Sequence, residues 1–392
     1  MTRNVEAFDR WIRSDFVAMN TELEELYFAR ENRSAVDGIG DAIKQRLCDE
    51  GRLLIAPLLA EGRTNDGFET AFHLLGNVGL YMGALRRHEL THPDREEQSP
   101  HREASALALH VGAAAGMAPR FATAHLATHN LAVDGVRKSF TALPDEFLFI
   151  DENCRAILSF QSAADALRRL VALGVSSPVA DVLFDQALTA LEAVSRINRH
   201  LFDTLDIDRF FYSVRPYYKP YRVGRHVYRG ANAGDFSGIN EIDLILGLCS
   251  ARDPYYAQLL LEKMPFMMPA DQARLRDCMA TPTMLDAFLS AMADQANAPW
   301  FRTNAAAFLT LCDAFGQTAR DHHDLLVARF ITRPAAGVNA QALSSITASG
   351  PPLEVLLRGL ERLRDYRCAA PRPDLSTRHD DLERLRRAIG TG

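Results

Sequence analysis

No stretch of this 392-residue chain reaches the roughly 18 consecutive apolar residues that a membrane-spanning helix needs. Its opening residues, MTRNVEAFDRWIRSDF, mix charges with apolar positions, where a secretory signal would carry an uninterrupted apolar core. A cytoplasmic protein with no membrane partner is the expectation. The six cysteines, Cys48, Cys154, Cys249, Cys278, Cys312 and Cys368, include no C-x-x-C pair, which argues against a paired-cysteine zinc site and against a disulfide framework. Positive charge is not in excess either. With 44 Lys and Arg against 50 Asp and Glu the net charge is -6, so nothing electrostatic attracts nucleic acid. Neither G-x-x-x-x-G-K-[ST] nor G-x-G-x-x-G occurs, and no repeat of about 20–50 residues is found.

What is present is helical periodicity. Hydrophobic residues make up 47 % of the chain and charged ones 24 %, ordinary proportions for a globular protein with ample core. Val5, Phe8, Trp11, Ile12, Phe16, Met19, Leu23, Leu26 and Tyr27 recur at spacings of three and four, the stripe of an amphipathic helix over 5–30. Similar stripes run through 67–88, 103–116, 155–173, 179–202, 254–264 and 300–332. Strand alternation is confined to YRVGRHVYRG, 221–230, which is too short to found a sheet. The fold class expected is all-α, with a dozen or more helices. The polar segment THPDREEQSPHRE, 91–103, and the Pro144-bearing FTALPDEF, 140–147, are the internal breaks. They divide a smaller N-terminal helical region, 1–145, from a larger helical domain, 146–392.

Inside the stripe 300–332 stands the pair His322 and His323. Helical phase separates them: His323 lies with Ala319, Arg320, Leu326 and Val327, while His322 is rotated by roughly 100°. A buried histidine bonded to a carbonyl, a metal ligand and a catalytic base all remain open for such a residue. Gly316 and Ala319 leave room beside His323 for something flat, and Arg320 could meet an anionic edge. A haem, held through one histidine, answers that description.

The block DIDRFFYSVRPYYKPYRVGRHVYRGANAGDFSGINEIDLILGL, 206–248, sets Phe210, Phe211, Tyr212, Tyr217, Tyr218, Tyr221 and Tyr228 among Arg215, Lys219, Arg222 and Arg225. Stacking of single-stranded nucleic acid is one use of such a mixture, but the acidic chain disfavours it. A pocket for an aromatic, anionic small molecule fits better, with rings for π-contacts and Arg215 for a carboxylate. Packing at helix ends accounts for some of the tyrosines.

Seven stretches, in this order, carry a resemblance to a known family: GLYMGALRRH (79–88), MAPRFATAHLATHN (117–130), SFTALPDE (139–146), FFYSVRPYYKPYRVG (210–224), YRGANAGDFSG with IDLILGL (228–248), KMPFMMPADQARL (263–275) and RDHHDLLVARFITRP (320–334). Together they span most of the chain. The chain resembles the indoleamine 2,3-dioxygenase and tryptophan 2,3-dioxygenase superfamily of haem enzymes. Through its Leu-Pro-Asp-Glu stretch and RPYYKPYRVG it resembles most the monodechloroaminopyrrolnitrin synthase branch, which acts on 7-chlorotryptophan.

The resemblance implies a multi-helical fold with a b-type haem between helices of the larger part and His323 as the iron ligand. It implies Arg320 and Asp243 as a pair beside a haem propionate, and Asn232, Ala233 and Gly234 as a loop over the haem edge. Phe210 and Arg215 are expected to line the substrate site, with Thr123, Leu126 and Ala127 completing the ring pocket and His125 beside it. The small distal serine falls in ILSFQSAAD, as Ser162 in preference to Ser159, and the substrate-covering loop becomes SITASGPP, 345–352. His125 and His129, at i and i+4, have a metal-like spacing but neither the glutamate of H-E-x-x-H nor a third ligand. A hydrogen-bonding or acid/base role suits His125 better.

The function so implied is a haem-dependent oxygenase acting on tryptophan or a substituted indole amino acid, with O₂ or peroxide as oxidant, in specialised, pyrrolnitrin-like metabolism. A dioxygenase proper, giving N-formylkynurenine, is the alternative within the superfamily. A haem sensor without turnover and a metal-free helical binding module are alternatives outside it. Whether the chain acts alone or as a homodimer is left open.

Overall fold

The computed structural model describes residues 2–62, 66–336 and 353–390. They are predominantly helical, as the periodicity requires. The loop expected over 345–352 lies outside the described residues.

The N-terminal stripe becomes two helices, Arg3–Arg13 and Asp15–Phe28. They part at Ser14, whose hydroxyl donates to the Arg10 carbonyl at 2.8 Å and competes with the helical ladder. Both halves bury their stripe, from Val5, Phe8 and Ile12 to Phe16, Leu23 and Tyr27. Helix Phe68–Arg87 passes through the middle of this part and is buried on every side from Leu74 onward. That is why its sequence is apolar all round and why it carries Gly79, where a Cβ would collide with the Phe121 backbone. At its end Arg87 forms a fully buried bidentate pair with Glu24, at 2.7 and 2.8 Å.

Pro144 does not interrupt a helix; it opens one. At the first turn its missing N–H is no loss, and helix Pro144–Leu173 runs on from it. A short turn folds helix Ala180–Thr204 back along it, and Arg169 reaches Gln186 across the pair at 2.8 Å. The strand-like segment forms a two-stranded hairpin, Tyr221–Val223 with His226–Tyr228. Helices Gly238–Leu246, Pro254–Lys263, Pro269–Ala280, Met284–Gln295 and Pro299–Asp321 follow. The last continues as a π-helix over His322–Thr332, and helices Leu353–Arg367 and His379–Ile389 close the chain.

Two large apolar clusters result. One gathers residues from Val5 to Ile150 together with Tyr217, Tyr221, Val223 and Ala231. The other gathers residues from Ile157 to Leu385. A smaller third cluster lies where the start of the long helix, the end of its partner, the 210–218 segment and the π-helix meet.

Candidate functional site

The third cluster is built from Leu201, Leu205, Phe210, Val214 and Phe330, with Leu148, Phe149, Tyr218 and Leu326 partly buried against them. Its rings form a shelf: Phe149 lies 5.0 Å from Phe210 and 5.9 Å from Tyr218, and Phe210 lies 5.9 Å from Phe330. The backbone beside the shelf is irregular. Phe210–Val214 is a π turn, closed by the Arg215 N–H donating to the Phe210 carbonyl. It sets Arg215 one π turn after Phe210 along the backbone, with its guanidinium over the neighbouring Phe211 ring.

Arg215 is the most informative side chain there. It is 5 % exposed, it makes no ion pair or hydrogen bond among the described residues, and its Nη1 is buried with no acceptor. The Phe211 ring lies 5.6 Å from its guanidinium. Burial pushes its pKa down to about 10, with no carboxylate opposing the shift. A buried charge with no partner among the described residues is costly.

The two histidines are separated as helical phase requires. His323 is half-buried; its Nδ1 lies 3.0 Å from Asp324 Oδ1, so Nδ1–H donates to the carboxylate, and among the described residues Nε2 has no partner. Arg364, 3.7 Å from the same carboxylate oxygen, pairs with Asp324. His322 is accessible yet enclosed: the protein around it pushes its pKa down to about 4, and Arg367 and His323 add to the shift.

The neighbourhood of Gly316 differs from expectation. A Cβ there would meet the Arg367 carbonyl and the Cys368 Cα, each at 3.2 Å. The space beside Gly316 is therefore filled by the chain's own backbone and not by a flat ligand. The expected pairing of Arg320 with Asp243 is corrected as well. Asp243, fully buried, accepts from Arg367 Nε and Nη2 at 2.9 and 2.8 Å and from the Tyr256 hydroxyl at 2.7 Å. Arg320 instead donates to Gln317 at 3.1 Å. The cause is the backbone at 367–368, which crosses Gly316 and delivers Arg367 to the carboxylate first.

His125 is corrected from a reactive to a structural residue. Its Nδ1 accepts from the Ala122 N–H at 2.9 Å, its Nε2–H donates to the Phe72 carbonyl at 2.9 Å, and the ring stacks on Phe72 at 4.0 Å. Burial pushes its pKa down to about 3, with Lys138 adding to the shift. Neither nitrogen is free for chemistry. Because the folded-state pKa lies below the unfolded value of about 6.5, the neutral ring's contribution is intact above pH 6.5 and is lost as pH falls toward 3. His125→Asn keeps an acceptor near Ala122 and loses the Phe72 bond. We expect it to lower stability at pH 7 by about 1–3 kcal/mol, to flatten the acid limb of the melting profile and to leave haem content unchanged. A loss of turnover without loss of stability would contradict this placement.

The other expected residues are distributed as follows. Thr123 donates to the Asn232 carbonyl at 2.6 Å and so ties its segment to the glycine loop, where the Asn232 side chain accepts from the Gly234 N–H at 2.9 Å. Ala233 is half-buried in the same loop. Leu126 belongs to the N-terminal core, and Ala127 packs against the larger one. A recess of about 160 Å³, lined by Thr123, His129, Gln161 and Phe236 among others, opens beside them. Ser162 is exposed, and the Ser159 hydroxyl donates to the Arg155 carbonyl at 2.9 Å; neither joins the aromatic shelf. Tyr218 is among the aromatics expected to line a pocket; sequence reasoning does not assign Phe149, Phe330 and Arg367 to the site. The first two carry no signal beyond a hydrophobic stripe, and Arg367 sits in a charged helix that reads as solvated.

These side chains fit a haem. Among the described residues no three His, Cys, Asp or Glu side chains gather as a bare metal ion would require. A haem brings its own nitrogen ligands and asks for one imidazole, which His323 can offer through Nε2. A family model of monodechloroaminopyrrolnitrin synthase, PrnB, matches residues 2–389.

Proposed function

From the premise that the chain belongs to the monodechloroaminopyrrolnitrin synthase family, we propose which of its residues bind the cofactor and the substrate. The family's reaction is the ring rearrangement of chlorotryptophan to monodechloroaminopyrrolnitrin in pyrrolnitrin biosynthesis, and its members are haem enzymes. Membership sets aside the sensor, the metal-free binding module and the plain dioxygenase. No helix among the described residues is long and apolar enough to cross a membrane.

In our reading His323 holds the iron of a b-type haem through Nε2, and Asp324 fixes the ring by accepting from Nδ1–H. The haem supplies the redox chemistry. The protein supplies placement. The indole lies against Phe210, Phe149 and Tyr218, and its carboxylate accepts from the Arg215 guanidinium. Leu201, Leu205 and Phe330 close the apolar side and keep water from the ring. We assign 1–145 the ring-binding contacts from Thr123 onward and 146–392 the haem. The observation that carries the reading is the buried, unpaired Arg215, one π turn from Phe210.

The test is a spectral titration of haem-loaded protein with chlorotryptophan, followed by mass spectrometry of the product under O₂ and under peroxide. A saturable Soret shift and a product of rearranged carbon skeleton are expected. A product carrying two added oxygens on an opened indole would overturn the assignment of this chain's reaction, and an unchanged spectrum would overturn the pocket.

A further inference from the structure

Helix Pro254–Lys263 ends on a lysine whose side chain does not do what terminal lysines ordinarily do. Such a residue commonly reaches back to the helix's last carbonyls or stays in water. Lys263 does neither. Its Nζ donates to Asn240 Oδ1 at 2.6 Å, on a different helix, and lies 3.7 Å from the place a Cβ on Gly234 would take. The side chain is only partly accessible and is enclosed by protein.

An ammonium has three donors, and one is used. No carboxylate of the described residues lies within 4.0 Å of it. The two nearby acids are already occupied. Asp235 is held by Arg229 at 2.7 and 2.9 Å and by the Asn232 N–H at 3.0 Å. Asp243 is held by Arg367 and Tyr256. Since Arg229 and Asp235 cancel, Lys263 and Arg367 stand against Asp243 alone, and the cluster keeps one positive charge in a place with little water. Burial pulls the Lys263 pKa down to about 8, as it does for an ammonium not fully compensated.

The cluster leads toward the histidine pair through hydrogen bonds and one helical turn. Lys263 bonds Asn240, and Asn240 donates to Asp243 at 3.4 Å and to the Tyr256 hydroxyl at 2.9 Å. Asp243 bonds Arg367, and one turn earlier on the same helix Arg364 pairs with Asp324, which accepts from His323 Nδ1–H. Lys263 and His323 thus mark two ends of one polar framework. We propose that the Lys263 ammonium, aimed by Asn240 and lacking a carboxylate partner in the protein, holds a propionate of the haem. The inference rests on the haem reading above. Lys263 is a positioning residue in it: it touches the cofactor's periphery and not the reacting atoms.

Esterified haem isolates the interaction, because haem dimethyl ester keeps the ring and iron and has no propionate charge. Full-length wild type, Lys263→Met and Lys263→Arg are reconstituted with haem and with its dimethyl ester, and affinity is read from the Soret band. For native haem, Lys263→Met should bind about tenfold more weakly, as loss of one charge-assisted contact implies, and Lys263→Arg should retain most of the affinity. For the ester, wild type and Lys263→Met should agree. Equal weakening toward both forms would make Lys263 a structural residue, and no weakening toward either would make it a bystander; each overturns the proposal. A wild-type protein that takes up no haem would instead overturn the haem reading itself, and this inference with it.

Discussion

Arg215→Met should bind chlorotryptophan about 10–100-fold more weakly than the wild type, the loss of a charge-assisted pair of roughly 1.5–3 kcal/mol. It should nevertheless melt at a higher temperature. Arg215 is buried and among the described residues makes no ion pair or hydrogen bond, and its Nη1 has no acceptor there. The free protein therefore carries an uncompensated charge, and an apolar side chain of similar volume removes that penalty. Opposite signs in binding and stability distinguish a substrate-holding arginine from one that supports the fold. Arg215→Lys keeps the charge and loses the planar fork, so its affinity should fall between the two. The decarboxylated substrate, chlorotryptamine, should bind wild type and Arg215→Met alike. A lower melting temperature with unchanged affinity would move Arg215 from the substrate to the scaffold.

Replacing His323 by Ala should lower haem affinity by more than about 100-fold, beyond the 10–100-fold typical of losing an outer partner. His322→Ala should keep its Soret band. Asp324→Asn should fall in the outer-partner range, because it removes the acceptor that fixes the His323 ring. Added imidazole should restore the band in His323→Ala by taking the vacated position. The contrast matters because the two imidazoles are adjacent: His323 has one nitrogen oriented by Asp324, whereas among the described residues no hydrogen bond holds the His322 ring. Haem loss in His322→Ala with retention in His323→Ala would transfer the iron to His322.

Much of the fold was legible because its signals are local. Apolar stripes at spacings of three and four correspond to the helices Phe68–Arg87, Arg102–Ala115, Ala180–Thr204 and Pro254–Lys263 within a few residues. The short alternating run at 221–230 is a hairpin and founds no larger sheet. Places where a side chain competes with the ladder were less legible. Ser14 divides a continuous stripe, and Pro144 reads as a break although it starts a helix. In the site, His125 shows how spacing misleads: its i, i+4 relation to His129 resembles a ligand pair, yet both its nitrogens are spent on Ala122 and Phe72.

By itself the sequence determined the helical class, the phase that separates His323 from His322, and the family, because each depends only on residue order and spacing. Only the tertiary structure decided who partners whom. The Phe210 carbonyl accepts from the Arg215 N–H because the chain closes a π turn there, which the apolar spacing along the chain does not announce. Asp243 belongs to Arg367 and not to Arg320 because a segment more than a hundred residues away crosses Gly316 and arrives first. Arg215 is left without a counter-charge for the complementary reason: no carboxylate of the described residues is folded to within reach of it. Buried charges are settled by what three-dimensional packing brings near them, and spacing along the chain does not encode that.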